Sequence, residues 1–311
     1  MQQKPKNFDP DVPSGILLVN KPDGQTSAQV VAKVKRTLNA KKVGHTGTLD
    51  PFATGLVICC INQATKLAQF FLKGDKTYEG VLHLGIDTNT QDKTGEIISQ
   101  KEPHCNETEI SAAFRSFLGQ IEQIPPAFSA LKHRGVPLYQ WARKGCPVQK
   151  PPRKVHIYDL TIQTIALPDV YFTVKCSSGT YVRTLCADIG KTLKCGGHLK
   201  ELCRIDSCGY SIDHSLTYEQ MAQETMNMLK SRIVPITDAL KKVPKLIAPP
   251  AIERQIKNGG RLFRNHFSQE ILKQGNILKI VTPDNMLLAV IQWHEESNEC
   301  KIIRFGLSDN K

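Results

Sequence analysis

Apolar and polar positions fall in short blocks along this chain, and the block periods predict a fold that mixes strands and helices. Residues 15–20, GILLVN, are a continuous apolar run of strand length and predict a buried strand. Lys21-Pro22-Asp23-Gly24 follows as a turn. Ser27 is the expected N-cap of a helix reaching about Leu38, with Val30, Val31, Val34 and Leu38 on one face and Lys33, Lys35 and Arg36 on the other. Residues 55–61, GLVICCI, predict a buried central strand, and Ala64-Thr65-Lys66 opens another helix. From Lys76-Thr77-Tyr78 the pattern alternates as a strand to about residue 85, and residues 85–95 are a polar, turn-rich loop. An amphipathic helix is expected over 107–118, with Ile110, Phe114 and Leu118 on its buried face. Residues 155–163 and 170–177 predict paired strands, followed by a helix over 184–194.

A patch holding Pro235, Pro244, Pro249 and Pro250 separates the last portion. There the pattern is a helix from about Ala251, a break at Gly259-Gly260, and apolar strands near 277–281, 286–293 and 300–305. The organisation expected is a polar arm over 1–14, a large unit over 15–245 and a small β-rich unit over 246–311.

Charge adds a partner class. Lys and Arg number 41 against 29 Asp and Glu, a net charge of +12, which favours a polyanion through phosphate neutralisation and counterion release. No 18-residue apolar run predicts a membrane span, and the first 15 residues lack the apolar core of a secretory signal. Ten cysteines occur, and Cys59, Cys60, Cys176 and Cys186 lie in apolar runs as buried free thiols do; a reducing, cytoplasmic setting is expected. Two stretches invite a metal. Cys195, His198, Cys203 and Cys208 fall within 14 residues but lack a paired CxxC, and the Asp87 to Gly95 loop lacks the acidic residue that closes a calcium loop. No metal and no other cofactor is expected.

The densest candidate chemistry is residues 41–55, KKVGHTGTLDPFATG. His45, Thr46, Thr48 and Asp50 stand within six residues, bracketed by Gly44, Gly47 and Gly55. Pro51 restricts Asp50 to an extended or turn conformation, so the carboxylate is aimed from a loop. Such a group can be a nucleophile, a base, a metal ligand or a turn cap. A second stretch, residues 123–145, interleaves Phe128, Tyr139 and Trp141 with Lys132, His133, Arg134, Arg143 and Lys144, and Lys150 follows; bases suit phosphate and aromatics suit stacking.

Residues Gly44, His45, Gly47, Leu49, Asp50, Pro51, Ala53, Gly55 and Leu56 resemble the GHxGxLDPxAxGxL signature of the TruB family of tRNA pseudouridine synthases. Lys76 and Tyr78 resemble its KxY motif, Gly179, Tyr181 and Arg183 its GxYxR motif, and Leu202 and Arg204 its LxR motif. Pro125, Pro126, Ser129, Ala130, Lys132, Gly135, Leu138, Tyr139, Ala142 and Arg143 match the pattern of its RNA-clasping insertion, here about 123–152. Two departures stand out: Asn62-Gln63 where a glycine is usual, and Cys203 where a second arginine is common.

The resemblance implies an α+β catalytic domain with a mixed, mostly antiparallel central sheet, followed by a small PUA-like RNA-binding domain. It implies isomerisation of uridine 55 in the T arm of tRNA after base flipping, without a cofactor, and a further activity as a tRNA folding factor. Asp50 would be the catalytic carboxylate. His45, Tyr78, Tyr181, Arg183, Leu202 and Lys21 would contact the substrate, and Lys132, Arg143 and Arg204 the RNA backbone. The chain would act as a monomer on tRNA, away from membranes and with no obligate protein partner.

Overall fold

Continuous apolar runs need cover on both faces, and the first two strands obtain it. The computed structural model describes residues 8–273, 275–293 and 298–305, so the first half of the expected polar arm, residues 1–7, lies outside the described residues. Strand Gly15–Lys21 pairs antiparallel with strand Thr54–Ile61. Leu17, Val19, Val57, Cys59 and Ile61 enter one core on one side of these strands. Ile16, Leu18, Leu56, Ile58 and Cys60 enter a second core on the other.

These strands belong to a ten-stranded sheet. Its main path runs Val234–Pro235, Gly15–Lys21, Thr54–Ile61, Gly197–Ser207, Lys76–Leu84, Asp169–Cys176, Arg153–Ala166 and Gly119–Gln123; Val43–His45 and Tyr210–Ser211 pair off this path. All pairings in it are antiparallel except Gly197–Ser207 beside Thr54–Ile61, so the expected mixed, mostly antiparallel sheet is observed. The alternating strand Lys76–Leu84 buries Leu82 and Leu84 in the first core and leaves Glu79 of the opposite face exposed. Helices Ser27–Thr37, Glu107–Arg115 and Val182–Thr192 supply Val30 and Val34, Ile110 and Phe114, and Leu185 and Ile189 to that same core. Among the described residues no helix is long and apolar enough to cross a membrane.

Several local expectations shift. The cap of the first helix is Thr26, not Ser27: Thr26 and Gln29 form a capping box, which frees the Ser27 hydroxyl for another task. Asn62–Leu67 is a 3₁₀ turn, and the α-helix begins only at Ala68. Helix Glu107–Arg115 ends before Leu118, which is exposed. The helix expected at 184 starts at Val182. The loop after residue 85 contains a small hairpin, Ile86–Thr88 with Ile97–Gln100.

The last portion forms a five-stranded sheet in the order Lys245–Ile247, Ile277–Val281, Leu287–Gln292, Glu299–Phe305 and Leu262–Phe263. The expected helix (Pro250–Lys257) packs Ile252 and Ile256 against it. Val281, Leu287 and Val290 turn outward from this small core and join the second core of the large sheet.

Candidate active site

Strand Val43–His45 leads into the loop carrying Asp50, and strand Thr54–Ile61 leads out of it. The loop is tied down along its length. Thr46 N–H donates to the Ile58 carbonyl, and Ala53 N–H to the Asp50 carbonyl. The buried Ser27 hydroxyl accepts from Leu49 N–H at 2.9 Å, the task its release from capping allows. The Pro51 carbonyl accepts from Gly24 N–H and from the Lys21 ammonium, both at 3.0 Å. Gly55 exits the loop at φ +103°, where an added Cβ would meet the Arg204 backbone oxygen at 2.5 Å. Only glycine accommodates both that dihedral and that approach.

Asp50 faces a cleft of about 380 Å³ whose walls include Thr48, Tyr78, Ser129, Leu131, Arg153, Tyr181, Arg183 and Leu202. Arg183 holds both carboxylate oxygens. Its Nη2 donates to Oδ1 at 3.2 Å, and its Nε lies 2.9 Å from Oδ2 as a close ion contact without an aligned hydrogen bond. The guanidinium is buried, while the Asp50 side chain stays 35% exposed to the cleft. Arg183 also donates from Nη1 to the Thr90 carbonyl and from Nη2 to the Phe128 carbonyl, each at 2.9 Å, and its Nη1 stands 3.4 Å from Asp92 Oδ2. One cation therefore ties together the Asp50 loop, the loop after strand Lys76–Leu84 and the base of the insertion.

Desolvation by the cleft walls pushes the Asp50 carboxyl above its ordinary value of 3.8; Arg183 opposes the shift and Asp92 adds to it. Burial likewise raises Tyr78, with the Arg204 cation opposing. Tyr78 and Arg204 are register partners on adjacent strands.

The structure brings Asp50, Tyr78, Tyr181, Arg183, Leu202 and Arg204 to this cleft. Arg204 is buried and donates from Nε to the Leu56 carbonyl at 2.6 Å and from Nη2 to the Gly47 carbonyl at 3.3 Å, so it braces the loop rather than reaching out as an exposed backbone contact. Lys21 is outside the cleft lining. Its ammonium is fully buried beneath the loop, donating to the Pro22, Gln25 and Pro51 carbonyls, and desolvation lowers its pKa to about 8. His45 is half-buried and also outside the lining; burial and then the Arg204 charge lower its pKa. Lys132 and Arg143 are exposed on the insertion, and Arg143 lies over the Tyr139 ring at 5.4 Å.

Three residues escaped the sequence reading. Asp92 is a buried second carboxylate on Arg183, accepting also from the Thr90 and Thr94 hydroxyls. Gln123 clamps Tyr181 through both backbone groups, and Arg153 covers the Tyr181 ring at 4.5 Å. Of these, only Asp92 had a signal, as one of two acids in the polar loop over residues 85–95. Three of the four soft side chains near residue 200 point to separate partners: Cys195 to the Gly196 carbonyl, His198 to the Ile86 carbonyl, and Cys208 to the Phe71 carbonyl. Among the described residues no three such groups gather as metal ligands.

Residues 35–182 match the N-terminal domain of the TruB family pseudouridylate synthases, and residues 183–241 match the C-terminal domain described for tRNA pseudouridylate synthase B. The chain is 39% identical over 297 residues to tRNA pseudouridine synthase B of Syntrophus aciditrophicus (strain SB), covering 94% of this chain and 95% of that one.

The chain belongs to the TruB family.

A second TruB relative, tRNA pseudouridine synthase B of Alkaliphilus oremlandii (strain OhILAs), is 44% identical over 258 residues, covering 83% of this chain and 86% of that one. The fold is shared more widely. An archaeal box H/ACA sRNP Nop10–Cbf5 complex contains a chain that superposes with a TM-score of 0.71 at 23% identity, covering 99% of this chain and 94% of that one. As a TruB-family member the chain is a pseudouridine synthase, and the cleft at Asp50 is the place in it where a carboxylate, its cation and an aromatic wall meet.

Proposed function

We propose that the chain converts uridine 55 in the T arm of tRNA to pseudouridine. The observation that carries the proposal is Asp50 in a nucleotide-sized cleft, held at both oxygens by Arg183 and faced by Tyr78, Tyr181 and Leu202. The names of the relatives, tRNA pseudouridine synthase B, support tRNA as substrate. The C1′–N1 bond breaks, the uracil turns, and C5 bonds to C1′. The C5 proton leaves and N1 gains one, so the reaction balances without a redox partner or metal.

The uridine leaves its stack to reach Asp50. The ionised carboxylate then acts as nucleophile at C1′ or C6, or as base toward a glycal; all three routes start from the same oxygen. Arg183 keeps that oxygen aimed, Tyr78 packs on the base, and Leu202 supplies an apolar wall. Tyr181 lines the pocket. His45, beside the cleft, occupies the space the base vacates. Lys132 and Arg143 grip the T-arm backbone, and the C-terminal sheet serves as a PUA-like second RNA contact. Lys21 and Arg204 act from beneath, by fixing the loop.

The test is a pseudouridine map of unmodified tRNA after incubation with the protein. Wild type converts one T-arm uridine. Folded Asp50→Asn binds the same tRNA within a few-fold of wild type and leaves the uridine unchanged. Conversion by folded Asp50→Asn at a near wild-type rate would overturn the assignment.

A further inference from the structure

Arg153 is a cation in the Asp50 cleft with no acid beside it. Its Nε is buried without a hydrogen-bond partner, and among the described residues no carboxylate lies within ion-pair distance. The other arginines of the cleft are committed: Arg183 to two carboxylates and two carbonyls, Arg204 to two carbonyls. A guanidinium left unpaired in a cleft that takes a polyanion is a binding group.

Its position is fixed by neighbours. The ring of Tyr181 lies under the guanidinium at 4.5 Å, a cation–π contact. The Tyr181 backbone is held by the buried Gln123, which accepts from its N–H at 3.0 Å and donates to its carbonyl at 3.3 Å. Gln123 and Arg153 are themselves register partners on strands Gly119–Gln123 and Arg153–Ala166. Gly179, at φ +89°, leaves room beside the guanidinium; an added Cβ would meet Arg153 Cζ at 3.3 Å. Pro125-Pro126 and Pro151-Pro152 flank this pair of strands. The whole insertion therefore leaves and re-enters the sheet at Gln123 and Arg153. A chain closing on RNA would pivot there.

We propose that Arg153 binds a phosphodiester of the RNA at or next to the flipped nucleotide, with Tyr181 as the platform that aims it. This rests on the pseudouridine synthase reading for the identity of the RNA. The test separates the two by measuring binding apart from chemistry.

A T-arm hairpin is titrated against wild type, Arg153→Lys and Arg153→Met over a range of salt, each protein being checked by its melting curve. Single-turnover conversion is measured alongside. The Met variant keeps length and apolar packing and loses the charge. Its affinity is expected to fall about tenfold, and the slope of log K against log salt by about one. Arg153→Lys recovers most of the slope. A hairpin with one neutral methylphosphonate beside the target uridine weakens wild type and leaves the Met variant unaffected. A purely structural Arg153, acting through Tyr181, would lower conversion while leaving the salt slope unchanged and every methylphosphonate equally felt by both proteins; that result overturns the proposal. Failure of wild type to convert the uridine would instead count against the reaction, and the binding slopes would still decide Arg153.

Discussion

Asp50 sits between two opposing charges, and that arrangement sets the pH response of the reaction. Arg183 stabilises its ionised form, while Asp92 and desolvation oppose it, desolvation being the largest effect and raising the pKa above 3.8. With Asp50 as the proposed catalytic carboxylate, kcat/KM is expected to fall as pH drops through this raised pKa. Removing the positive neighbour should move the acid limb further up in pH, as in Arg183→Gln. Removing the negative neighbour should move it down, as in Asp92→Asn, which keeps the oxygen that Thr90 and Thr94 use. Opposite displacements in pH–rate profiles are the expected outcome. A common direction for both variants would show that Asp92 acts on loop shape alone. The candidate carboxylate was legible in the sequence because its loop carries a dense local signature. Asp92, Gln123 and Arg153 were not, because each meets the site only through tertiary contacts with residues distant in sequence, Asp92 with Arg183, and Gln123 and Arg153 with Tyr181.

At the scale of elements, the loop and the insertion show what local pattern can and cannot reveal. Strand periods located strands such as Gly15–Lys21, Thr54–Ile61, Lys76–Leu84 and Asp169–Cys176, since burial on one face or two writes directly into the sequence, but they did not locate the central strand Gly197–Ser207. The role of Ser27 was misplaced because two hydroxyl residues adjoin at the helix start, and only Gln29 selects Thr26 as the cap. Lys21, expected in the substrate pocket, and Arg204, expected on the RNA backbone, both point at carbonyls of the Asp50 loop. Lys21→Met should leave three part-buried carbonyls without that donor and cost about 1–3 kcal/mol. The expected signature is a lower melting temperature with RNA affinity in the folded fraction preserved. A loss of affinity with unchanged melting would return Lys21 to the substrate. Lys132 and Arg143 are the contrasting case: both are exposed, away from the carboxylate. Charge reversal at each should raise KM and lower the salt slope of binding by about one, with the single-turnover rate at saturating RNA little changed. An unaltered slope would mean that the insertion does not carry these phosphate contacts.

Across the whole molecule, the C-terminal sheet is less separable than its proline-rich border suggests. Lys245, assigned to the large unit by pattern, pairs in parallel with Lys279 of the small sheet. The coupling lies in the packing. Val281, Leu287 and Val290 complete the core over Ile16, Leu18, Leu56 and Ile58, on the face of the large sheet opposite the first core. Lys279 is buried and donates to the Thr237 and Leu240 carbonyls at 2.7 and 2.8 Å, and Asn285 donates to the Thr237 hydroxyl at 3.1 Å. Deleting everything after residue 244 therefore removes three apolar side chains from a shared core, at about 1.5–3 kcal/mol each. It also leaves two helix-end carbonyls short of a donor, at about 1–3 kcal/mol each. The sum rivals the whole stability of an ordinary domain, about 5–15 kcal/mol. Strands Gly15–Lys21 and Thr54–Ile61, which bound and carry the Asp50 loop, are the ones uncovered. The truncated chain is thus expected to lose conversion together with structure, seen as a collapsed thermal transition, rather than to keep the reaction with weaker RNA binding. A cooperative melt near that of the full chain, with conversion retained, would show that the large sheet tolerates an open face and that the two units are independent after all.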